Sequence, residues 1–522
     1  MTLVSYNERV FMSRSKLKKE IGLLTLVSIG VGGIIGSGIF ILPANMAALA
    51  GPGLLLAILI SGVITTFLAL AYAELGAAFP ITGGPFSLPR LALGDIGGFI
   101  IGWGYFLYLF IGTAALIEIF IVYLGFYVPG LSAGATLTPL GIIIALGSLW
   151  LFTFMNLFGV KWGGLYSIIT TIGKILPLLL FAVIGFAAID GHNFTPFLPF
   201  GLTGVTLAST LFFWSYTGFE AIVVPSEEVK DPAKTIPRAI LLTMLITMAT
   251  YLLVATAFLG MIDWQGLGIN FMNWSAIGEL GSPLAQVTLS STTLKIGWLA
   301  SLIAIGAIIA TGGSSGTWVL IQGRIPFAMA KESLFWSKLN AVNRYGVPAR
   351  SLIFTSLLTS ITIIAIPHFV SVSLIASMTA LVPYAAAVLA VPILRKTKRE
   401  TPRPFKLPFY RLFTLMGFVF ATWLIYWASW PWTLVGALLI FLGFPAFLLV
   451  RRVHLELKRN VWIACYLLGI IIISMIGDQH FELNNFTPYS PLGLLKMPYD
   501  LVVLTLFSIM IYSWAYRLNN RG

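Results

Sequence analysis

Long apolar runs constrain this chain more than any other feature. A helix needs ~20 apolar residues to cross hydrocarbon. Runs of that kind fall at about 22–50, 54–78, 97–126, 139–158, 164–189, 203–225, 237–262, 297–330, 351–367, 371–394, 409–429, 432–451, 461–477 and 499–516. At 522 residues the chain has the length of about three soluble domains. Its composition excludes them: 58% of residues are hydrophobic and 9% charged, against about 25% charged in a soluble domain. Backbone polar groups in lipid must be satisfied within the segment, so runs of this length predict helices. The expected fold class is an all-α polytopic membrane protein with fourteen spans.

A formal net charge of +13 suggests nucleic acid, but the placement of the charge argues against it. With the spans threaded alternately, all lysines and arginines except Lys174, Lys295 and Lys496 fall on the side of both termini, or at its edge. That is the positive-inside bias, which predicts cytoplasmic termini and a plasma membrane location, the inner membrane in a Gram-negative cell. No nucleic-acid partner is expected; the lipid bilayer is. The basic tail Arg9–Lys19 runs straight into a segment too long for a signal-peptide core, so no cleaved leader is expected.

Enzymatic chemistry finds little support. The longer external segments, about 263–296 and 478–498, carry no nucleophile, paired carboxylates or metal-ligand cluster. A single cysteine, Cys465, excludes a disulfide scaffold. His192, His368, His454 and His480 are far apart, so no metal or other cofactor is expected. Sequons at Asn193, Asn273 and Asn485 fall in external loops without implying a glycan. Arg395–Lys406, RKTKRETPRPFK, reads as a solvated loop facing the headgroups.

Two spans carry helix breakers. The first contains Gly32-Gly33-Ile34-Ile35-Gly36-Ser37-Gly38-Ile39-Phe40 followed by Pro43. The sixth contains Trp214-Ser215-Tyr216-Thr217-Gly218-Phe219-Glu220 followed by Pro225. They are an odd number of spans apart, so they cross in opposite directions. Interrupted helices at matching places in two inverted halves point to a transporter's substrate site; close packing at glycine is the alternative. Unwinding at Gly36–Gly38 would expose the amides of Ser37, Gly38 and Ile39 to a substrate carboxylate. The carbonyls around Ile34 and Ile35, and those of Trp214 and Tyr216, would face an α-ammonium. One amino acid head group satisfies both sets, which favours an amino acid or related amine over a sugar or lipid.

The segments GIIGSGIFILPAN and FFWSYTGFEAIVVPSEEVKDPAKTIPRAI resemble the amino acid–polyamine–organocation superfamily, locally its bacterial arginine/agmatine antiporters. The resemblance implies a five-plus-five inverted repeat, shared with sodium-coupled leucine transporters, plus four accessory spans. The boundaries are then a basic tail 1–21, a first repeat 22–194, a second repeat 203–394, a basic linker 395–408, accessory spans 409–516 and a tail 517–522. A homodimer contact is one use open to the accessory spans. The function implied is secondary active transport by alternating access, with proton symport or exchange and no sodium. A non-transporting sensor on the same fold is the alternative.

By the same resemblance, Trp214 matches an aromatic gate, Trp318 a second site tryptophan, and Tyr105 a pocket tyrosine. Thr113 stands where those antiporters carry an asparagine for the guanidinium, which counts against arginine. Lys174 matches a lysine whose ammonium replaces sodium, bridging spans one, five and eight. Glu220 is the candidate proton-responsive carboxyl, or else a permanently hydrogen-bonded helix-end group. Glu118 would face a cationic side chain or pair with a polar neighbour. Glu74 reads as structural.

Overall fold

The computed structural model describes residues 21–81, 84–158, 163–291, 297–450, 457–477 and 491–520, without the side chains of 163–171, 227, 449–450 and 457. Most of the basic tail, and Lys161, Lys295, Arg451, Arg452, His454, His480 and Asn485, lie outside that description.

The chain is helical nearly throughout. Its first apolar run forms two helices, α1 (Leu23–Ile34) and α2 (Gly38–Ala50). Then come α3 (Leu54–Ala78), α4 (Gly84–Leu124), α5 (Pro139–Leu157), α6 (Gly163–Gly185), α7 (Gly201–Tyr216) and α8 (Pro232–Gly260). The short α9 (Trp274–Gly278) and α10 (Pro283–Ser290) lead into α11 (Gly297–Gln322), α12 (Arg324–Lys331), α13 (Ala349–Ala365) and α14 (Phe369–Thr397). The remainder comprises α15 (Tyr410–Tyr426), α16 (Trp432–Phe441), α17 (Gly443–Val450), α18 (Leu457–Ile476) and α19 (Tyr499–Asn519). Eight helical stretches among the described residues are long and apolar enough to cross a membrane. Shorter apolar helices include Leu23–Ile34, Ala349–Ala365 and Tyr410–Tyr426. A two-stranded ribbon pairs Ser132–Ala133 with Thr136–Leu137, a small departure from an all-helical chain.

Local chemistry explains where the helices stop. Ile35 is extended (φ −70°, ψ 93°) and closes α1. Gly218, at φ 104°, follows α7 and starts the tight turn Phe219–Ile222. That left-handed conformation is open to glycine without a Cβ penalty. The first break therefore covers Ile35–Ser37, one residue earlier than expected, and Gly38 is already the first residue of α2. Gly94 (φ 72°) kinks α4, so the predicted run from 97 is preceded by a separate helical segment from Gly84.

Packing sorts the helices into two groups. Helices α1 and α2 lie on α8 and α7, and α3 lies on both α7 and α8. Helices α4, α5, α11 and α13 pack together. The second group shares a buried polar knot. Thr153 and Ser356 hydroxyls are 2.8 Å apart, Gln322 donates to Ser356 at 3.2 Å, and Thr359 donates to the Gln322 carbonyl at 3.0 Å. Such a satisfied network in a low-dielectric interior holds its helices in one register. Helix α14, buried along its apolar length, runs between the groups.

Loops between the helices are tied as well. Asn193, 2% exposed, donates to the carbonyls of Leu259, Gly260 and Ile262 and accepts from Trp264 Nε1 at 2.7 Å. Its sequon is therefore closed to modification in this fold, whereas Asn273 is exposed. The backbone amide and imidazole of His192 hold the Asp190 carboxyl below the usual carboxylate range.

Candidate functional site

The two breaks meet. A Cβ on Gly218 would stand 2.5 Å from the Gly33 carbonyl oxygen, and one on Gly33 would stand 3.2 Å from the Gly218 carbonyl oxygen. Gly30 faces Ile222 and Gly38 faces Ser215. Rising numbers on one segment thus oppose falling numbers on the other, so the segments run antiparallel. Tyr251 of α8 seals the junction, its hydroxyl 3.2 Å from the Ile34 carbonyl and 2.7 Å from that of Ser215. Sequence reasoning missed Tyr251, because nothing local distinguishes a tyrosine within an apolar helix.

Around this junction the expected residues divide. Gly36 has room for a Cβ, which would make ordinary van der Waals contact with Ile34 O and Ser314 Oγ, both at 3.9 Å. Gly38 has none: Ser215 Oγ would lie 1.9 Å from its Cβ. Helix packing, not ligand approach, requires glycine at Gly38. Ser37 receives Trp214 Nε1 on its hydroxyl at 3.4 Å. The first amides of α2, at Gly38 and Ile39, have no acceptor within their own helix. On the sixth run the expectation needs correcting. The Trp214 carbonyl already accepts from the Thr217 amide at 3.2 Å and hydroxyl at 2.7 Å, so it is engaged rather than offered to an ammonium. The Tyr216 side chain points away, donating to the Ile58 carbonyl at 3.1 Å.

Three rings form one aromatic cluster. Trp214 and Trp318 centroids are 5.8 Å apart, and Tyr108 meets them edge-on at 6.3 and 5.2 Å. Gly112 makes room for both indoles, since a Cβ there would come within 2.9 Å of each. The tyrosine of this cluster is Tyr108, not Tyr105. Tyr105 lies one helical turn earlier and donates to Glu220 Oε1 at 3.2 Å. Glu220 Oε2 accepts from the Gly218 amide at 3.1 Å, so this carboxyl stitches the break to α4. Tyr72, Tyr108 and Tyr384 gather around it, with Tyr72 and Tyr384 also packing on Phe219.

Lys174, 4% exposed, donates to the Gly32 carbonyl at 2.6 Å. That carbonyl belongs to the last turn of α1, where orphan acceptors and the negative dipole end favour a cation. The neighbouring Gly173 packs against Ile309 of α11, the helix of the predicted eighth span. Thr113 is buried, and its hydroxyl donates to the Leu109 carbonyl at 2.7 Å. Glu118 is fully buried, and neither carboxyl oxygen meets a hydrogen-bond partner. Six residues beyond Gly112, it lies about 120° around the helix from the indole-facing side, so the fold sets it apart from the aromatic cluster.

A sequence-family profile described as amino acid permease matches residues 21–475. The chain belongs to the amino acid permease family. This permease is 26% identical to the glutamate/serine transporter AimA of Bacillus subtilis, covering 96% of this chain and 94% of that protein. It is 28% identical to the aspartate-proton symporter of the same organism, covering 96% and 97% respectively. The branched-chain amino acid permease BcaP, also from Bacillus subtilis, is 28% identical over 85% of this chain and 95% of its own length. This permease is thus a multi-pass membrane transporter rather than an enzyme or a sensor.

Proposed function

We propose that this permease carries the zwitterionic head group of an amino acid between the two broken helices by alternating access. The observation that carries the reading is the backbone-to-backbone meeting of Gly33 and Gly218, next to the unpaired N-terminal amides of α2. A substrate carboxylate would take those amides together with Ser37, beside Gly36. The α-ammonium would take carbonyls at Ile35 or Tyr216, since that of Ile34 is held by Tyr251. Trp214, Trp318 and Tyr108 would enclose the side chain. Their apolar faces, and the engagement of both nearby charged groups, Glu220 and Lys174, favour a neutral side chain. Glu118 lies away from this cluster and is not assigned to recognition.

The fold proposed around the site has fourteen crossings in five-plus-five inverted halves with four accessory spans. Both termini would be cytoplasmic in the plasma membrane, a placement the bias of the basic residues supports. Lys174 on the end of α1 supports transport without sodium, because an ammonium already neutralises that helix end. Coupling would then come from protons or a counter-substrate.

The test is uptake by purified protein in liposomes, using a panel of labelled amino acids. The internal amino acid, pH gradient and sodium are each varied in turn. Uptake of a neutral amino acid, independent of sodium and driven by acid outside or by exchange, is expected. Uptake only with sodium overturns the role given to Lys174, and no uptake of any amino acid overturns the site.

A further inference from the structure

Away from the breaks, one buried acid gathers partners from the single stretch 395–407, far along the chain. Glu74, four residues before the end of α3, is 1% exposed. Its Oε1 accepts from Arg395 Nε at 2.6 Å, and its Oε2 from Arg395 NH2 at 2.5 Å and from the Leu407 amide at 2.8 Å. Arg403 Nε stands 3.9 Å away. The Arg395 guanidinium lies over the Tyr410 ring, 4.0 Å from its centroid. Arg403 in turn donates to the carbonyls of Leu394, Lys398 and Thr401. The linker between α14 and α15 is therefore folded into a knot with Glu74 at its centre.

The two sides of this knot belong to different parts of the fold. Helix α3 packs chiefly on α7 and α8, which carry Trp214 and Tyr251. Arg395 closes α14, and Tyr410 opens the first accessory helix. Elsewhere α3 meets that accessory helix through flat rings. Phe67 stacks on Phe413 at 4.9 Å and meets Phe420 edge-on at 5.4 Å. Rings in such contact can slide, whereas a bidentate ion pair is either made or broken. A buried ion pair adds little net stability, because desolvation offsets its attraction, yet it is well suited to a two-state role.

We propose that the Glu74–Arg395–Tyr410 junction is a latch. Through it the accessory helices hold the site-bearing helices closed on the cytoplasmic side, and it parts once per transport cycle. This gives the accessory helices a mechanical task, and it rests on the alternating-access reading above.

The test uses full-length protein with Cys465→Ser, which removes the single cysteine. Val223→Cys serves as reporter, because Val223 is fully buried between Gly76 and Gly84. Glu74→Gln and, separately, Arg395→Met are expected to speed maleimide labelling of that reporter about tenfold, the shift expected of a lost state-specific contact. In a second arm, Phe67→Cys is combined with Gly417→Cys without the reporter. A Cβ on Gly417 would lie 3.8 Å from that of Phe67, inside the ~3.5–4.5 Å range of a disulfide. Oxidation is expected to reduce amino acid uptake to less than a tenth, and reductant to restore it. Unchanged labelling in both latch variants, or full uptake with the pair oxidised, overturns the latch. If the latch variants fail to fold, the disulfide pair, which keeps Glu74, decides alone. Loss of the latch effects with uptake intact sinks the latch only; absence of uptake in the unsubstituted protein sinks the transport reading beneath it.

Discussion

Placing alanine at Gly38 drives its Cβ to 1.9 Å from Ser215 Oγ, an overpacking that costs about 1–3 kcal/mol. Gly38→Ala is expected to lower the thermal stability of the purified protein, and Ser215→Gly in the same chain to recover part of the loss. Strict additivity of the two substitutions would count against the contact. Gly36→Ala makes only ordinary van der Waals contacts instead, so wild-type stability is expected with at least a tenfold rise in KM for uptake, as lost amide contacts to a carboxylate imply. Asn193→Ala removes four hydrogen bonds from a buried side chain. It should cost about 2–4 kcal/mol, read as a lower melting temperature with KM unchanged. These residues also mark how far sequence reading reaches. The glycines of the breaks were legible because they breach an otherwise unbroken apolar run. Their separate reasons were not, since whether a glycine faces a ligand or a serine depends on a helix far away in the chain.

Some helices were legible to the residue: the run 54–78 is α3 as it stands, and 139–158 is α5 with one residue to spare, whereas 203–225 stops being helical at Tyr216 and 432–451 divides into α16 and α17. Length and apolar character suffice when the solvent is lipid, because a spanning segment has few alternatives to a helix. What escaped were contacts between elements. Tyr108 rather than Tyr105 joins the indoles, one turn along the same helix, and Tyr251 clasps both breaks from α8. At this scale the prediction concerns α1 and α6. Lys174→Met removes the cation from the Gly32 carbonyl and leaves the α1 terminus without its partner. Transport is expected to fall by more than tenfold while the protein stays folded, and activity regained on adding sodium would identify a cation site. Unimpaired uptake by Lys174→Met would remove Lys174 from the coupling scheme.

Across the whole molecule, charge and apolar length together predicted which side of the membrane each loop occupies. The expectation is checked with single cysteines replacing Lys398 and Asn273 in the Cys465→Ser background. An impermeant thiol reagent should reach Lys398→Cys only from the cytoplasmic side and Asn273→Cys only from outside. Labelling of both from one side would overturn the threading. The division of the helices into two packed groups was not legible, since lipid-facing and protein-facing apolar residues look alike in a chain that is apolar on every face. It appears only in which helices touch and in the Gln322 knot that binds one group together.

At Gly33 and Gly218 main chain lies directly against main chain, with no side chain interposed to act as a spacer. The two interrupted helices are therefore in direct contact at their breaks, where a displacement of either main chain bears on its partner. A methyl group on Gly218 would press into the Gly33 carbonyl, so any redesign of this carrier has to treat the pair as one machined part.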